Sequence, residues 1–259
     1  LWVLALRFTG AALLMALIGI KELRLLDRQY LLKGLGLGTA LFAAYTLQTF
    51  GLEYTTPGKN AFLTATYCVI VPFMWWFFTK KRPDRFNIAA ALVCIIGMAL
   101  VSLDGGLSLG LGDALTICCG FFYALHIILT ARAVEGRSPV LLSMVQFAVA
   151  AVWCWVTAPI VSPFPQGVPA SAWWSIAYLC FMCTGVCFLL QTIGQKHTPP
   201  QTASIILTLE SVFGTLLSVL FYHERLSFKT AAGFVLIFVA VLISETKLSF
   251  LKPRSAKRA

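Results

Sequence analysis

Charge is what this sequence has least of. Only 12% of its 259 residues are Asp, Glu, Lys or Arg, about half of the roughly 25% that a soluble globular domain carries. So few charges cannot coat a water-facing surface of this size, which excludes an ordinary soluble domain and leaves lipid as the solvent for much of the chain. Acidic residues are scarcer still, ten against twenty basic ones. The basic surplus does not announce a nucleic-acid partner, because that reading needs a basic patch on a water-soluble body. Here Lys and Arg fall between apolar runs, and no nucleic acid is expected.

Other absences narrow the chemistry. The eight cysteines (68, 94, 118, 119, 154, 180, 183 and 187) all lie inside apolar stretches, so a loop-rich disulfide framework is excluded and they read as small packing residues. Cys180, Cys183 and Cys187 share a helical face, yet no His or acid lies on that helix to complete a metal site. No G-x-x-x-x-G-K-[ST] loop is present, so nucleotide-driven transport is not expected, nor is any cofactor. His126, His197 and His223 are scattered, and of the acids only Glu210 lies deep in an apolar run. A membrane enzyme would need paired carboxylates, a metal cluster or a nucleophile with its base, and none is visible. No repeated filter or charged ring suggests a channel. A structural or signalling multi-pass protein stands as the alternative to a transporter.

What the chain does have is hydrophobicity, 59% of residues with a mean hydropathy of +0.85. It is gathered into nine runs near residues 1–20, 31–52, 57–79, 86–103, 112–131, 139–161, 172–195, 200–222 and 230–246. Each is close to the ~20 residues that span a bilayer. Two starts are marked by a hydroxyl and proline, Thr56-Pro57 and Thr198-Pro199-Pro200, which predicts N-capping by the threonine before a proline whose missing N–H costs nothing there. The loops alternate in charge. One set, with the tail, carries sixteen Lys and Arg and the other carries Lys59, Arg225 and Lys229. The expectation is a multi-pass protein of the cytoplasmic (inner) membrane with its C-terminus in the cytoplasm.

The sequence also repeats. Leu47-Gln48-Thr49-Phe50-Gly51 returns as Leu190-Gln191-Thr192-Ile193-Gly194, an offset of 143 that holds without a gap from 47 to 97. It pairs Thr55 with Thr198, Pro57 with Pro200, Val69 with Val212, Phe78 with Phe221, Arg82 with Arg225 and Ala89 with Ala232. At a slightly different offset Arg7-Phe8 pairs with Gln146-Phe147. The second copy has a helix at 112–131 with no counterpart in the first, so a first span preceding Leu1 is expected. The units are 1–105, a repeat lacking its first helix, and 106–259, a second repeat with a basic tail. A five-helix unit crosses an odd number of times, so its copy is inverted, a plan that recurs in secondary transporters with a midplane site.

Leu6-Arg7-Phe8, Gly112-Asp113-Ala114-Leu115, Leu209-Glu210-Ser211-Val212-Phe213, His223-Glu224-Arg225-Leu226-Ser227 and the Gly233/Ala240 pair of the last span resemble the EamA-type permeases of the drug/metabolite transporter superfamily. The resemblance covers essentially the whole chain, although the first repeat has Lys81 where the second has Glu224. It implies an all-α membrane fold of ten helices, nine of them visible here, in two inverted five-helix repeats. It also implies export or import of amino acids, nucleosides, drugs or other metabolites.

Candidate substrate-binding residues follow from depth and spacing. Glu210 lies roughly 15 Å into its span at ~1.5 Å per residue, where an acid costs about 2.5–3.5 kcal/mol unless it faces a cavity or partner. It reads as a proton or substrate-amine site, or as interhelical glue. Tyr67 is its repeat mate, and Asn60, Thr64 and Tyr67 form a polar stripe at helical spacing. Arg7 suits a substrate carboxylate or, equally, a snorkelling role, and Gln146 shares that ambiguity. Tyr123 and His126 lie on neighbouring faces of one helix as cavity lining or glue. Gln48 and Gln191 read as structural hydrogen-bonding groups. The expected partners are a small-molecule substrate and the lipid bilayer, with proton coupling and a homodimer as further expectations.

Overall fold

The computed structural model describes residues 1–55, 57–102, 110–210, 213 and 227–246. Thr56, the 104–106 loop, most of the second half of the 200–222 run, residues 223–226 and the tail from Lys247 lie outside them. Among the described residues every regular element is helical. They are α1 (Trp2–Ile18), α2 (Arg28–Glu53), α3 (Pro57–Thr64), α4 (Tyr67–Thr79), α5 (Arg85–Ser102), α6 (Leu111–Ala133), α7 (Pro139–Val161), α8 (Ala170–Tyr178), a π-helical stretch (Leu179–Val186), α9 (Cys187–Gln195), α10 (Pro200–Leu207) and α11 (Phe228–Thr246). Five helical runs are long and apolar enough to cross a bilayer: 28–53, 60–79, 111–133, 139–161 and 170–195. α1, α5 and α11 contain shorter apolar helices. This is a multi-pass α-helical membrane protein. Large apolar side chains such as Leu17, Phe77, Ile160 and Trp174 are exposed on its outside, as a lipid-facing surface requires.

The helix starts are set by local chemistry. Asp27 caps α2 by accepting the Tyr30 N–H at 2.8 Å. Ser138 precedes Pro139 and caps α7. Asp113 reaches back to accept the Gly110 N–H at 2.7 Å and receives the Thr55 hydroxyl at 2.9 Å. At α10 the expectation needs correction. Pro199 occupies the cap position and Pro200 the first helical one, so Thr198 lies one residue outside and no side chain caps the helix.

Two of the expected spans are interrupted. The 57–79 run breaks at residues 65–66 and the 200–222 run at Thr208. Each break carries the same bond. The Thr66 hydroxyl bonds the Leu63 carbonyl at 2.6 Å, and the Thr208 hydroxyl bonds the Ile205 carbonyl at 2.6 Å. Such back-bonding onto the preceding turn bends a helix. Residues 65 and 208 are 143 apart, the offset of the repeat.

The helices pack as close pairs: α1 with α7, α2 with α6 and α7, and α5 with α11. Small residues permit the approach. A Cβ on Gly97 would come within 2.8 Å of the Gly233 carbonyl oxygen, and one on Gly112 within 2.7 Å of the Gly51 carbonyl oxygen. At one end of the bundle the basic loops meet. Arg137 pairs with Asp27 at 3.7 Å, the Ser138 N–H donates to the Tyr30 hydroxyl at 2.9 Å, and Arg132 donates to the Phe78 carbonyl at 3.2 Å. At the other end the Trp2 indole donates to the Ser162 carbonyl at 3.0 Å.

Candidate functional site

Between these helices lies a cavity of about 610 Å³. α2 contributes Tyr45 and Gln48, which share a face at a spacing of three, while Thr64 ends α3 and Tyr67 opens α4 just past the first break. Phe188 and Gln191 come from α9, Leu207 ends α10, and Glu210 follows the second break. Adding 143 to 45, 48, 64 and 67 gives 188, 191, 207 and 210. The cavity is therefore walled by four mate pairs of the repeat. Arg7, Tyr123, Ile127, Cys183 and Cys187 complete its lining among the described residues.

Arg7 is held in place rather than loose. Its Nε donates to the Thr184 hydroxyl at 2.7 Å, its Nη2 to the Tyr45 hydroxyl at 3.4 Å, and its guanidinium lies 4.7 Å from the centre of the Tyr45 ring. Thr184 belongs to the π-helical stretch, a local widening that often accompanies a functional site. No carboxylate pairs with Arg7 among the described residues. Glu210, in the same lining, has no hydrogen-bond or ion-pair partner among them either, and its side chain is exposed. Tyr45, Tyr67 and Tyr123 stand together, with the Tyr123 ring 5.6 Å from Tyr45 and 6.4 Å from Tyr67. The Tyr123 hydroxyl donates to Gln48 Oε1 at 3.0 Å, and Gln48 Nε2 reaches the Thr64 hydroxyl at 3.4 Å.

Of the residues singled out in the sequence, the fold brings Arg7, Thr64, Tyr67, Tyr123 and Glu210 to this cavity. It places three elsewhere. Asn60 is turned into the contact with α6, where its amide donates to Thr116 Oγ1 at 2.9 Å. His126 and Gln146 are buried against each other, His126 Nε2 lying 2.8 Å from Gln146 Oε1, with the Phe188 ring packed at 6.0 Å from the imidazole. Each satisfies a polar group between helices rather than opening on the cavity. Conversely, Tyr45, Gln48, Gln191 and Phe188 do line it. The offset that paired Tyr67 with Glu210 pairs these four as well and was the signal that finds them. Cys180 packs against α1, its Sγ 3.5 Å from the Leu6 carbonyl, whereas Cys183 and Cys187 reach the cavity.

Residues 1–103 and 110–246 match the model of the EamA-like transporter family. An uncharacterized transporter of Archaeoglobus fulgidus is 30% identical over 213 residues, covering 81% of this chain and 67% of that protein. The uncharacterized transporter YyaM of Bacillus subtilis is 24% identical over 227 residues, covering 82% of this chain and 73% of that one. A solved crystal structure superposes with a TM-score of 0.81 over 94% of this chain and 87% of its own, at 17% identity, and shares the fold.

Proposed function

The chain belongs to the EamA-like transporter family, and from that premise we propose that it is a secondary transporter carrying small organic metabolites such as amino acids or drugs across the cytoplasmic membrane by alternating access. The observation that carries this reading is the presence of one cation and one carboxylate, Arg7 and Glu210, not paired with each other, in the lining of one cavity walled by repeat mates. An amino acid matches that arrangement, with its carboxylate on the guanidinium and its ammonium on Glu210. The three tyrosine rings take the apolar part. The halves 1–105 and 106–259 rock about the cavity, which opens to each side in turn. Glu210 is the group that binds either the substrate amine or a coupling proton.

Orientation is tested by thiol labelling. A cysteine introduced in the 162–170 loop reacts with an impermeant reagent on intact cells and one beside Arg85 does not; the reverse pattern refutes the topology and the inverted repeat. Function is tested by an untargeted metabolite comparison of cells with and without the protein, followed by counterflow of radiolabelled amino acids in proteoliposomes. Glu210→Gln keeps expression, because the amide is nearly isosteric. A proton role predicts that exchange survives while its pH dependence is lost. A substrate-amine role predicts loss of binding at every pH. Wild-type rate with unchanged pH dependence makes the residue structural.

A further inference from the structure

A second concavity lies on the outer side of the same helices. Between α4 and α6 runs a groove of about 580 Å³, formed by Phe73, Phe77 and Phe78 with Phe121 and Leu125. Every described residue that lines it is apolar, and Phe77 is 70% exposed. Val69, Ile70 and Met74 complete its lining, and it shares no lining residue with the cavity, so the two are separate.

Two cations stand at its mouth, held by the very rings that form it. Lys80 Nζ lies 5.0 Å from the centre of the Phe77 ring. The Arg132 guanidinium lies 5.2 Å from the Phe78 ring and 5.5 Å from Trp75, and its Nη2 donates to the Phe78 carbonyl at 3.2 Å. Lys80 takes a left-handed backbone, φ 59°, while its N–H closes α4 on the Trp76 carbonyl at 2.7 Å. That conformation is uncommon for a residue with a side chain, and it turns the chain so that Lys80 stays at the groove. Lys81, Arg82 and Arg85 follow in the loop. The acid among them, Asp84, accepts the Phe86 N–H at 3.1 Å at the start of α5.

We propose that this groove binds one anionic phospholipid, an acyl chain lying along the phenylalanines and the headgroup phosphate seated on Lys80 and Arg132. An apolar trough at membrane depth that ends in basic groups at the depth of the lipid headgroups complements both parts of such a lipid. A second copy of the chain docked two-fold on the same groove would set these cations against their own kind, which disfavours that occupant.

Native mass spectrometry of the detergent-purified protein tests the site with defined probes. With phosphatidylglycerol added, one lipid per chain is expected to survive activation that strips phosphatidylcholine. Lys80→Gln with Arg132→Gln should weaken retention roughly tenfold or more on the electrostatic scale of basic groups near anionic lipid. Leu125→Trp, which fills the groove and keeps both cations and their contacts, should weaken it too, with thermal stability unchanged in that variant. Equal retention of phosphatidylglycerol and phosphatidylcholine, or wild-type retention in the double variant, overturns the proposal. Displacement of the lipid by millimolar inorganic phosphate also overturns it, since the cations alone would then account for binding.

Discussion

The two walls of the cavity are built from the same positions of a repeat and are not alike. The first wall carries Tyr45, Gln48, Thr64 and Tyr67; their mates are Phe188, Gln191, Leu207 and Glu210. The first is a neutral hydroxyl-and-amide surface whose hydrogen bonds are already taken up, Tyr123 of α6 donating to Gln48 and Gln48 to Thr64. The second is half apolar, Phe188 and Leu207, and presents Gln191 and a carboxylate with no partner among the described residues. Backbone differs as well. α2 is regular throughout, whereas Thr184 lies in a π-helical stretch and holds Arg7. The 143-residue offset pairs the positions, and the difference between them lies in which side carries the carboxylate.

The largest expected effect separates Glu210 from its mate. If the second wall binds the charged cargo, Glu210→Gln lowers counterflow about a hundredfold, the scale of losing one partner of a desolvated charge pair. Tyr67→Phe should stay within roughly threefold, since its hydroxyl makes no hydrogen bond with a described residue and surface changes away from such bonds cost little. Comparable losses in the two variants would break the contrast between the walls.

An intermediate effect separates Gln48 from Gln191. Gln48→Leu deprives Tyr123 and Thr64 of a shared partner, a loss of about 1–3 kcal/mol if both groups stay dry, or a fall in thermal midpoint of roughly 3–8 °C for a chain of this size. Gln191 has no hydrogen-bond partner among the described residues, so Gln191→Leu should shift stability by less than about 0.5 kcal/mol. Thermal unfolding in detergent reads both. Equal shifts would mean that the first wall is no more tied together than the second.

Much of this arrangement was legible in the chain. Most of the apolar helical runs among the described residues were, because length and hydropathy alone decide them, and so was the pairing of Tyr67 with Glu210, because the offset needs no structure. The breaks at 65–66 and 208 were not. Threonine is ordinary inside a membrane helix, and only its rotamer decides whether the hydroxyl bends the backbone. The π-helical stretch has no Pro to announce it. Asn60 shares a helical face with Thr64 in projection, yet it lies a full turn earlier, where α6 offers Thr116. His126 is three residues from Tyr123, but Phe188 stands against its ring and Gln146 takes its Nε2. Periodicity gives the face of a helix; it does not say which neighbour covers that face at each depth.

The smallest effect concerns the breaks themselves. At Leu63 the carbonyl accepts both the Thr66 hydroxyl at 2.6 Å and the Thr66 N–H at 3.3 Å. Thr66→Val therefore leaves that carbonyl a donor, and the cost should be near 0.5 kcal/mol, the low end for one hydrogen bond. The second break is more entangled. The Thr208 hydroxyl gives its one proton to the Ile205 carbonyl, so the contact with Cys94 Sγ at 3.0 Å must be donated by the thiol. Thr208 is 1% exposed and Cys94 fully buried. Thr208→Val thus removes the back-bond and takes the hydroxyl acceptor from a weak S–H donor as well, which should bring its cost to about 1 kcal/mol. Thermal unfolding of the two valine variants reads the difference, with Thr208→Val in a Cys94→Ala background expected to recover part of its loss. A larger loss at Thr66 than at Thr208 would show that the first break is the more tightly determined, and the greater rigidity would then belong to the neutral wall.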